Sequence, residues 1–246
     1  MTELLPPRGH VSGHNAVMDR FSLTRRSLLA GTAALACLPS PARAEYGLPP
    51  LATPRGLRLL YDLSWIGLPV GEHEIVLTPE GPGGNFTVTN RVEIAIELLF
   101  IDVIRFEHTS TENWRGGLLT QFESRTEDDG EFYEVEGHAS PEGFVVSGNH
   151  GTVVAPAAVL TSNDVWIPPV PGTRPFINAK NGDVVPVTVS EPRNSSVRID
   201  GTQTPARRFD IASAVADGTL FYDGDLFVSG WFTRRDRTVD YRLKES

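Results

Sequence analysis

His108 and Glu112 hold the best-placed chemistry in this chain: an imidazole able to exchange a proton near neutral pH, and a carboxylate four positions further on. On a helix the two would share a face. Residues 100–114 instead alternate with a period of two, which is the mark of a strand: Phe100, Asp102, Ile104, Phe106 and His108 fall on one side, and Ile101, Val103, Arg105, Glu107 and Thr109 on the other. At about 3.3 Å per residue, His108 and Glu112 then lie on one side of that strand about 13 Å apart, too far to share a metal ion. Glu107 or Glu112 beside His108 remains the acid–base set from which an enzyme could be built. Trp114 ends the same strand, and Trp166 falls in a proline-rich stretch where exposure is expected. His108, Glu112, Trp114 and Trp166 together make the candidate ligand-binding set, an aromatic wall with polar anchors.

Other chemistries lack their usual anchors. There is no G-x-S-x-G elbow, no P-loop and no G-x-G-x-x-G turn. His73, His108, His138 and His150 show no short metal-ligand spacing. The acidic series Glu123, Glu127, Asp128, Asp129, Glu131, Glu134 and Glu136 straddles a turn in the wrong order for a calcium loop and reads as solvated. Paired carboxylates could hydrolyse a glycoside only at a suitable separation in space. Arg234, Arg235 and Arg237 form one basic knot, for which a gatekeeper role on an edge strand is preferred to an anion site. No catalytic residue, metal ligand or cofactor is assigned, and an enzyme is the less favoured outcome.

The elements that must position these residues are strands. Residues 57–66 and 70–78 read as a hairpin about Gly67-Leu68-Pro69, with Glu72 and Glu74 on a wet face and His73 and Ile75 opposite. Residues 85–96 follow, then the strand that carries His108. Residues 118–126 and 131–139 are set off by the turns Gly116-Gly117 and Asp129-Gly130, and 144–147 form a shorter strand. From about 151 to 175 the alternation fails: Pro156, Pro168, Pro169, Pro171 and Pro175 leave a long loop in which only 157–161 could make a helical turn. Strands resume at 184–190, 196–199, 207–211, 219–222, 226–233 and 238–243. The expected fold is all-β, an antiparallel meander of about a dozen strands, too wide to stay flat and so forming a curled sheet or incomplete barrel.

The N-terminal segment is an address. Thr24-Arg25-Arg26-Ser27-Leu28-Leu29 sets an arginine pair ahead of the apolar run 28–38, and Ala42-Arg43-Ala44 supplies the small residues that a peptidase reads. The run is shorter than the roughly 20 residues that span a bilayer, and Pro39 and Pro41 end it. Residues 1–44 are therefore read as a twin-arginine signal peptide, recognised through Arg25 and Arg26 by the Tat translocase and cleaved at Ala42 to Ala44. Residues 45–56 are read as a flexible linker and 57–246 as a single β domain in the periplasm. Met18 also opens a signal of conventional length. Cys37, the sole cysteine, lies inside the signal, which leaves the mature domain without disulfides. In the alternative reading, Ala34-Leu35-Ala36-Cys37 is a lipobox that anchors the chain through Cys37. Later apolar runs are broken by charge, Pro or Gly, so no membrane span is expected. Beyond residue 44, 17 basic side chains face 29 acidic ones, which argues against nucleic acid and anionic lipid surfaces as partners.

A set of scattered positions resembles a known family. Tyr61-Asp62-Leu63, Ile66-Gly67, Val70-Gly71-Glu72-His73, His108 with Glu112-Asn113-Trp114, Gly117-Leu118, Thr126 with Gly130, Thr161-Ser162 with Trp166, Phe221-Tyr222-Asp223 and Tyr241 are similar to DUF6134, exported bacterial proteins of unknown function, and distantly to the DUF3108 family. Phe221 stands where the family pattern leads one to expect Trp. The resemblance implies an exported antiparallel β domain, akin to the curled sheets of periplasmic lipoprotein carriers, and brings no catalytic residues. The favoured expectation is a non-catalytic binding or carrier module for an apolar or amphiphilic ligand. A structural role in envelope assembly comes next, and a hydrolase acting on envelope material last.

Overall fold

The computed structural model describes residues 56–81, 84–98, 101–199, 201–234 and 237–245, and the side chains of all of these except 97, 98, 101–103 and 245. Arg25, Arg26, Ala42, Ala44, Cys37, nearly all of the 45–56 linker, and Phe100 lie outside the described residues.

Alternation becomes strand throughout. The elements are β1 (Leu57–Trp65), β2 (Leu68–Pro79), β3 (Phe86–Leu98), β4 (Ile101–Arg115), β5 (Leu118–Asp128), β6 (Glu131–Ser140), β7 (Gly143–Gly148), β8 (Gly151–Ala155), β9 (Leu160–Thr161), β10 (Gly172–Ile177), β11 (Val184–Val189), β12 (Arg193–Ile199), β13 (Thr202–Ser213), β14 (Asp217–Asp223), β15 (Leu226–Arg234) and β16 (Arg237–Glu245). Two-residue turns with both φ angles positive set the register of three hairpins: Ile66-Gly67 (47° and 81°), Gly116-Gly117 (56° and 81°) and Asp129-Gly130 (55° and 85°). Their backbone twist matches that of the flanking strands, which is why such turns recur in hairpins. The first turn thus falls on Ile66-Gly67 rather than Gly67-Leu68-Pro69, and Pro69 lies within β2, where it pairs with Ser64.

The strands form one sheet in the order β8-β7-β6-β5-β4-β3-β2-β1-β16-β15-β14-β13-β11-β10-β9, with β12 pairing β13 off this path. Pairing is antiparallel except between β9 and β10. The two ends, β8 and β9, do not pair with each other, so the sheet stays open. It is nevertheless curled. Side chains of β4 and of β14, with five strands between them in the order, both bond to residues 161–167.

The inner face carries the main core, where Tyr61, Phe86, Trp114, Phe122, Phe209, Tyr222 and Phe227 are fully buried. Burial of side chains of this size supplies about 1.5–3 kcal/mol each. On the outer face, Val197 and Ile199 of β12 lie against Ala206, Phe221 and Val228 in a second, smaller cluster. β14 is therefore covered on both sides and reads as an apolar run rather than an alternation.

The stretch 151–175 departs from expectation. β8, β9 and β10 lie in it, and 157–161 make no helix: Val159 N–H bonds Pro156 O at 3.0 Å, and the chain then enters β9. Pro175 hid β10 from a pattern reading. It faces Pro186 of β11 in the ladder. A pair that exchanges hydrogen bonds cannot hold two prolines, so this is a non-bonded pair with both ring nitrogens turned outward. The outer neighbours begin one residue later, at Phe176 for β9 and Val187 for β11 against β13, so neither proline deprives a partner of a donor. Gly148, at the end of β7, lets residues 181–182 come close: a Cβ there would stand 2.1 Å from Asn181 O.

Candidate functional site

The inner face of β4 presents Phe106, His108, Ser110, Glu112 and Trp114 in order, and the segment 156–183 crosses over it. That segment is shaped by its own polar run. Asp164 accepts from Thr161 N–H at 2.7 Å, Thr161 Oγ1 accepts from Asn163 N–H at 3.1 Å, and Ser162 N–H bonds Ile177 O at 2.9 Å. The resulting turn drives Thr161, Asn163 and Asp164 toward the sheet, and three layers follow along β4.

In the deepest layer Trp114 stacks on Phe86 at 5.9 Å, and the ring of Trp166 stands edge-on to both at 5.5 Å. Glu112 is fully buried above them. Its carboxyl accepts from Trp114 Nε1 at 3.0 Å and from Thr161 Oγ1 at 2.8 Å, and bonds the carboxyl of Asp164. Burial, then the charge and hydrogen bond of Asp164, hold Glu112 well above the usual carboxylate range, against the opposing pull of Thr161 and Trp114. Two buried carboxyls in contact cannot both ionise cheaply, so the pair keeps a proton to higher pH than a free carboxyl would.

The middle layer is a row of buried polar groups. Asn163 Nδ2 donates to His108 Nε2 at 2.9 Å and to Ser110 Oγ at 2.9 Å. His108 Nε2 is then the acceptor, and its Nδ1–H donates to Thr126 Oγ1 at 2.8 Å. Asn90 Nδ2 donates to Ser110 Oγ at 3.3 Å, while its Oδ1 faces His73 Nε2 at 3.4 Å. Burial lowers His73 to about 4 despite Asn90, and burial followed by the nearby His73 lowers His108 to about 4. Both rings are neutral at physiological pH. His73 Nδ1 is buried and has no hydrogen-bond partner among the described residues.

Above this row the side chains stop meeting. A cavity of about 320 Å³ opens, floored by His73, His108 and Asn163 and walled by Ile94, Ile104, Phe106, Phe232 and Val239. Trp65 and Tyr241 complete its β1–β16 side. Asp128, Asp129, Lys180, Arg234 and Arg237 line it too, and of these Asp129, Arg234 and Arg237 are exposed and mark the mouth. A second cavity of about 140 Å³ adjoins it under Val215 and Ala216.

Of the candidate ligand-binding residues, only His108 reaches the large cavity; Glu112 and Trp114 lie deeper, and Trp166 backs them. Trp166 is half-buried rather than exposed, because Phe86 and Trp114 offer it two ring faces. The acid–base set does not assemble: Glu107 points outward and pairs with Arg105 at 2.7 Å, and the ring nitrogens of His108 bond Asn163 and Thr126. Glu112 and Asp164 are in hydrogen-bond contact, nearer than the roughly 5 Å that glycoside hydrolysis needs between carboxyls. Among the described residues no group of three His, Cys, Asp or Glu is placed to hold a metal ion.

The basic knot also differs from the reading as an edge gatekeeper. β15 and β16 are interior strands, and Arg234 and Arg237 line the cavity at their hairpin end. Asp128 departs from the solvated reading of its acidic series. It is mostly buried, paired with Lys180 and within 3.4 Å of Arg234. Sequence reasoning named Thr161 only as a position of the family resemblance and passed over Asn163 and Asp164, although four polar residues in a row within an otherwise apolar and proline-rich stretch were a signal. His73 was legible as inward-facing from its parity with Ile75.

Residues 61–244 match the profile of a family described as Domain of unknown function (DUF6134). No curated protein and no solved structure is significantly similar to the chain.

Proposed function

This chain belongs to the DUF6134 family, and from its geometry we propose that it is an exported binding or carrier module that holds an apolar or amphiphilic molecule in the cavity above His108. The carrying observation is the cavity itself. Protein interiors pack to the density of organic crystals and leave few voids larger than a water molecule, whereas this space of about 320 Å³ lies at the lower bound of ligand sites. Its walls are aliphatic and aromatic, and its floor is a row of side chains largely bonded to one another. Such a surface gains by burying a hydrocarbon. Of the acid–base set only His108 reaches it, with both ring nitrogens bonded to protein, while Glu112 is packed beneath and Glu107 points outward, which favours binding over catalysis.

Export by the twin-arginine route, through Arg25 and Arg26, supports a periplasmic site of action. Native mass spectrometry of protein recovered from its own periplasm tests both parts. The expected species begins at Glu45 and carries a small molecule. A species beginning at Cys37 with attached lipid would replace the soluble form by an anchored one. A chain retained whole in the cytosol sinks the export reading, and repeatedly empty protein that also takes up no hydrophobic dye sinks the carrier reading.

A further inference from the structure

Arg234 and Arg237 are cross-strand partners, the last pair of the β15–β16 ladder before its turn. Like charges directly opposite one another destabilise a hairpin. Here both line the mouth of the large cavity, in a chain of net charge −9 where cations are the minority. The acids beside them are already engaged. Asp128 pairs with Lys180, both largely buried, and reaches Arg234 only at 3.4 Å. Asp129 Oδ1 accepts from Arg105 N–H at 2.8 Å. Among the described residues that line this mouth, three cations therefore face two carboxylates. Inside, His108 and Asn163 are bonded to protein groups, Ser162 Oγ accepts from Ala179 N–H, and His73 Nδ1, without a partner among the described residues, belongs to a neutral ring. The walls are apolar, so an ion brought to the floor would lose its water without gaining a counter-charge.

Resting on the reading of this cavity as a ligand site, we propose that its occupant is a single-chain aliphatic acid, with the carboxylate between Arg234 and Arg237 at the mouth and the chain running inward toward His108. Guanidinium groups suit a carboxylate because their paired N–H donors match its two oxygens. At about 30 Å³ per carbon-sized group, the cavity admits roughly ten of them. That is a medium-length chain.

Isothermal titration of the full chain with decanoate, decan-1-ol and acetate, near neutral pH and at low and high salt, tests this. Decanoate should bind about tenfold more tightly than decan-1-ol, and acetate without its chain should bind too weakly to measure. High salt should weaken decanoate and leave decan-1-ol unchanged, since only the first depends on exposed charge. In the Arg234→Gln/Arg237→Gln double variant, decanoate should fall about tenfold to the level of the alcohol, whose unchanged affinity shows that the cavity is still formed. Equal binding of acid and alcohol by the unaltered protein, or an acid preference that survives in the variant or at high salt, overturns the proposal while leaving the cavity reading in place. Binding of neither chain overturns the cavity reading and this proposal with it. Should the double variant fail to fold, the salt dependence in the unaltered protein decides.

Discussion

Glu112 shows how one buried carboxyl can be held without an ionic partner. Two donors, Trp114 Nε1 and Thr161 Oγ1, are directed at its oxygens, and the bond to Asp164 satisfies the shared proton. Glu112→Leu would leave both donors buried without an acceptor, and an orphaned buried donor costs about 1–3 kcal/mol. Glu112→Gln keeps one acceptor oxygen for Trp114 Nε1, and its amide N–H groups can donate to Asp164 and to the Thr161 hydroxyl, so its loss near pH 6 should be smaller than that of the leucine variant. The two variants separate further with pH. The folded-state pKa of Glu112 lies above its ordinary value of 4.5, so its contribution is complete below that value and is lost as pH rises through the folded one. Urea unfolding near pH 6 and near pH 9 should therefore show the unaltered protein weakening relative to Glu112→Gln at the higher pH. A constant difference between the two would count against a proton held by this pair.

At the scale of elements, the segment 156–183 is a strap across the curled sheet. It is fastened to β4 through Glu112 and His108, to β5 through Ser124 Oγ, which donates to Ala179 O at 2.6 Å, and to β14 through Tyr222. The Tyr222 hydroxyl meets two carbonyls of the strap, Val165 O at 2.7 Å and Ile167 O at 3.2 Å. Tyr222→Phe removes this fastening while keeping the ring that packs on Phe209 and Phe227. The expected loss is about 1–2 kcal/mol. Hydrogen exchange should locate the effect, with faster exchange at Val165 and Ile167 and no change in the β2–β3 ladder. Uniform acceleration across both regions would mean that the strap does not open separately from the sheet.

For the whole molecule, the buried ionisable groups pull stability in opposite directions. His73 and His108 drop from 6.5 to about 4 on folding, so their contributions are present above pH 6.5 and are lost as pH falls toward 4. Glu112 acts in the reverse sense above 4.5. Between these values two histidines oppose one carboxyl, and stability should rise with pH by up to about 1.4 kcal/mol per unit. Above pH 6.5 the histidines add nothing more and the Glu112 term makes stability fall. A series of denaturant midpoints from acid to alkaline pH should thus peak near neutrality. A peak below pH 5 would show that the two histidines are not buried neutral in the folded protein.

How much of this was legible depends on the range of the interactions. Alternation along a strand and the φ needs of Gly116-Gly117 and Asp129-Gly130 are local, so the sequence determined the all-β class, most strand positions and the inward side of His73 and His108. Phe221 and Tyr222 read as strand but not as a segment buried on both faces, because that depends on the β12–β13 hairpin folding over it. Only the tertiary structure brought Thr161, Asn163 and Asp164 onto β4, since those contacts close loops of some fifty residues and no local pattern encodes them. The same holds for the mouth. The two arginines are neighbours in sequence, but whether they guard an edge or line a cavity depended on which strands flank β15 and β16, and that was settled by the curl of the whole sheet.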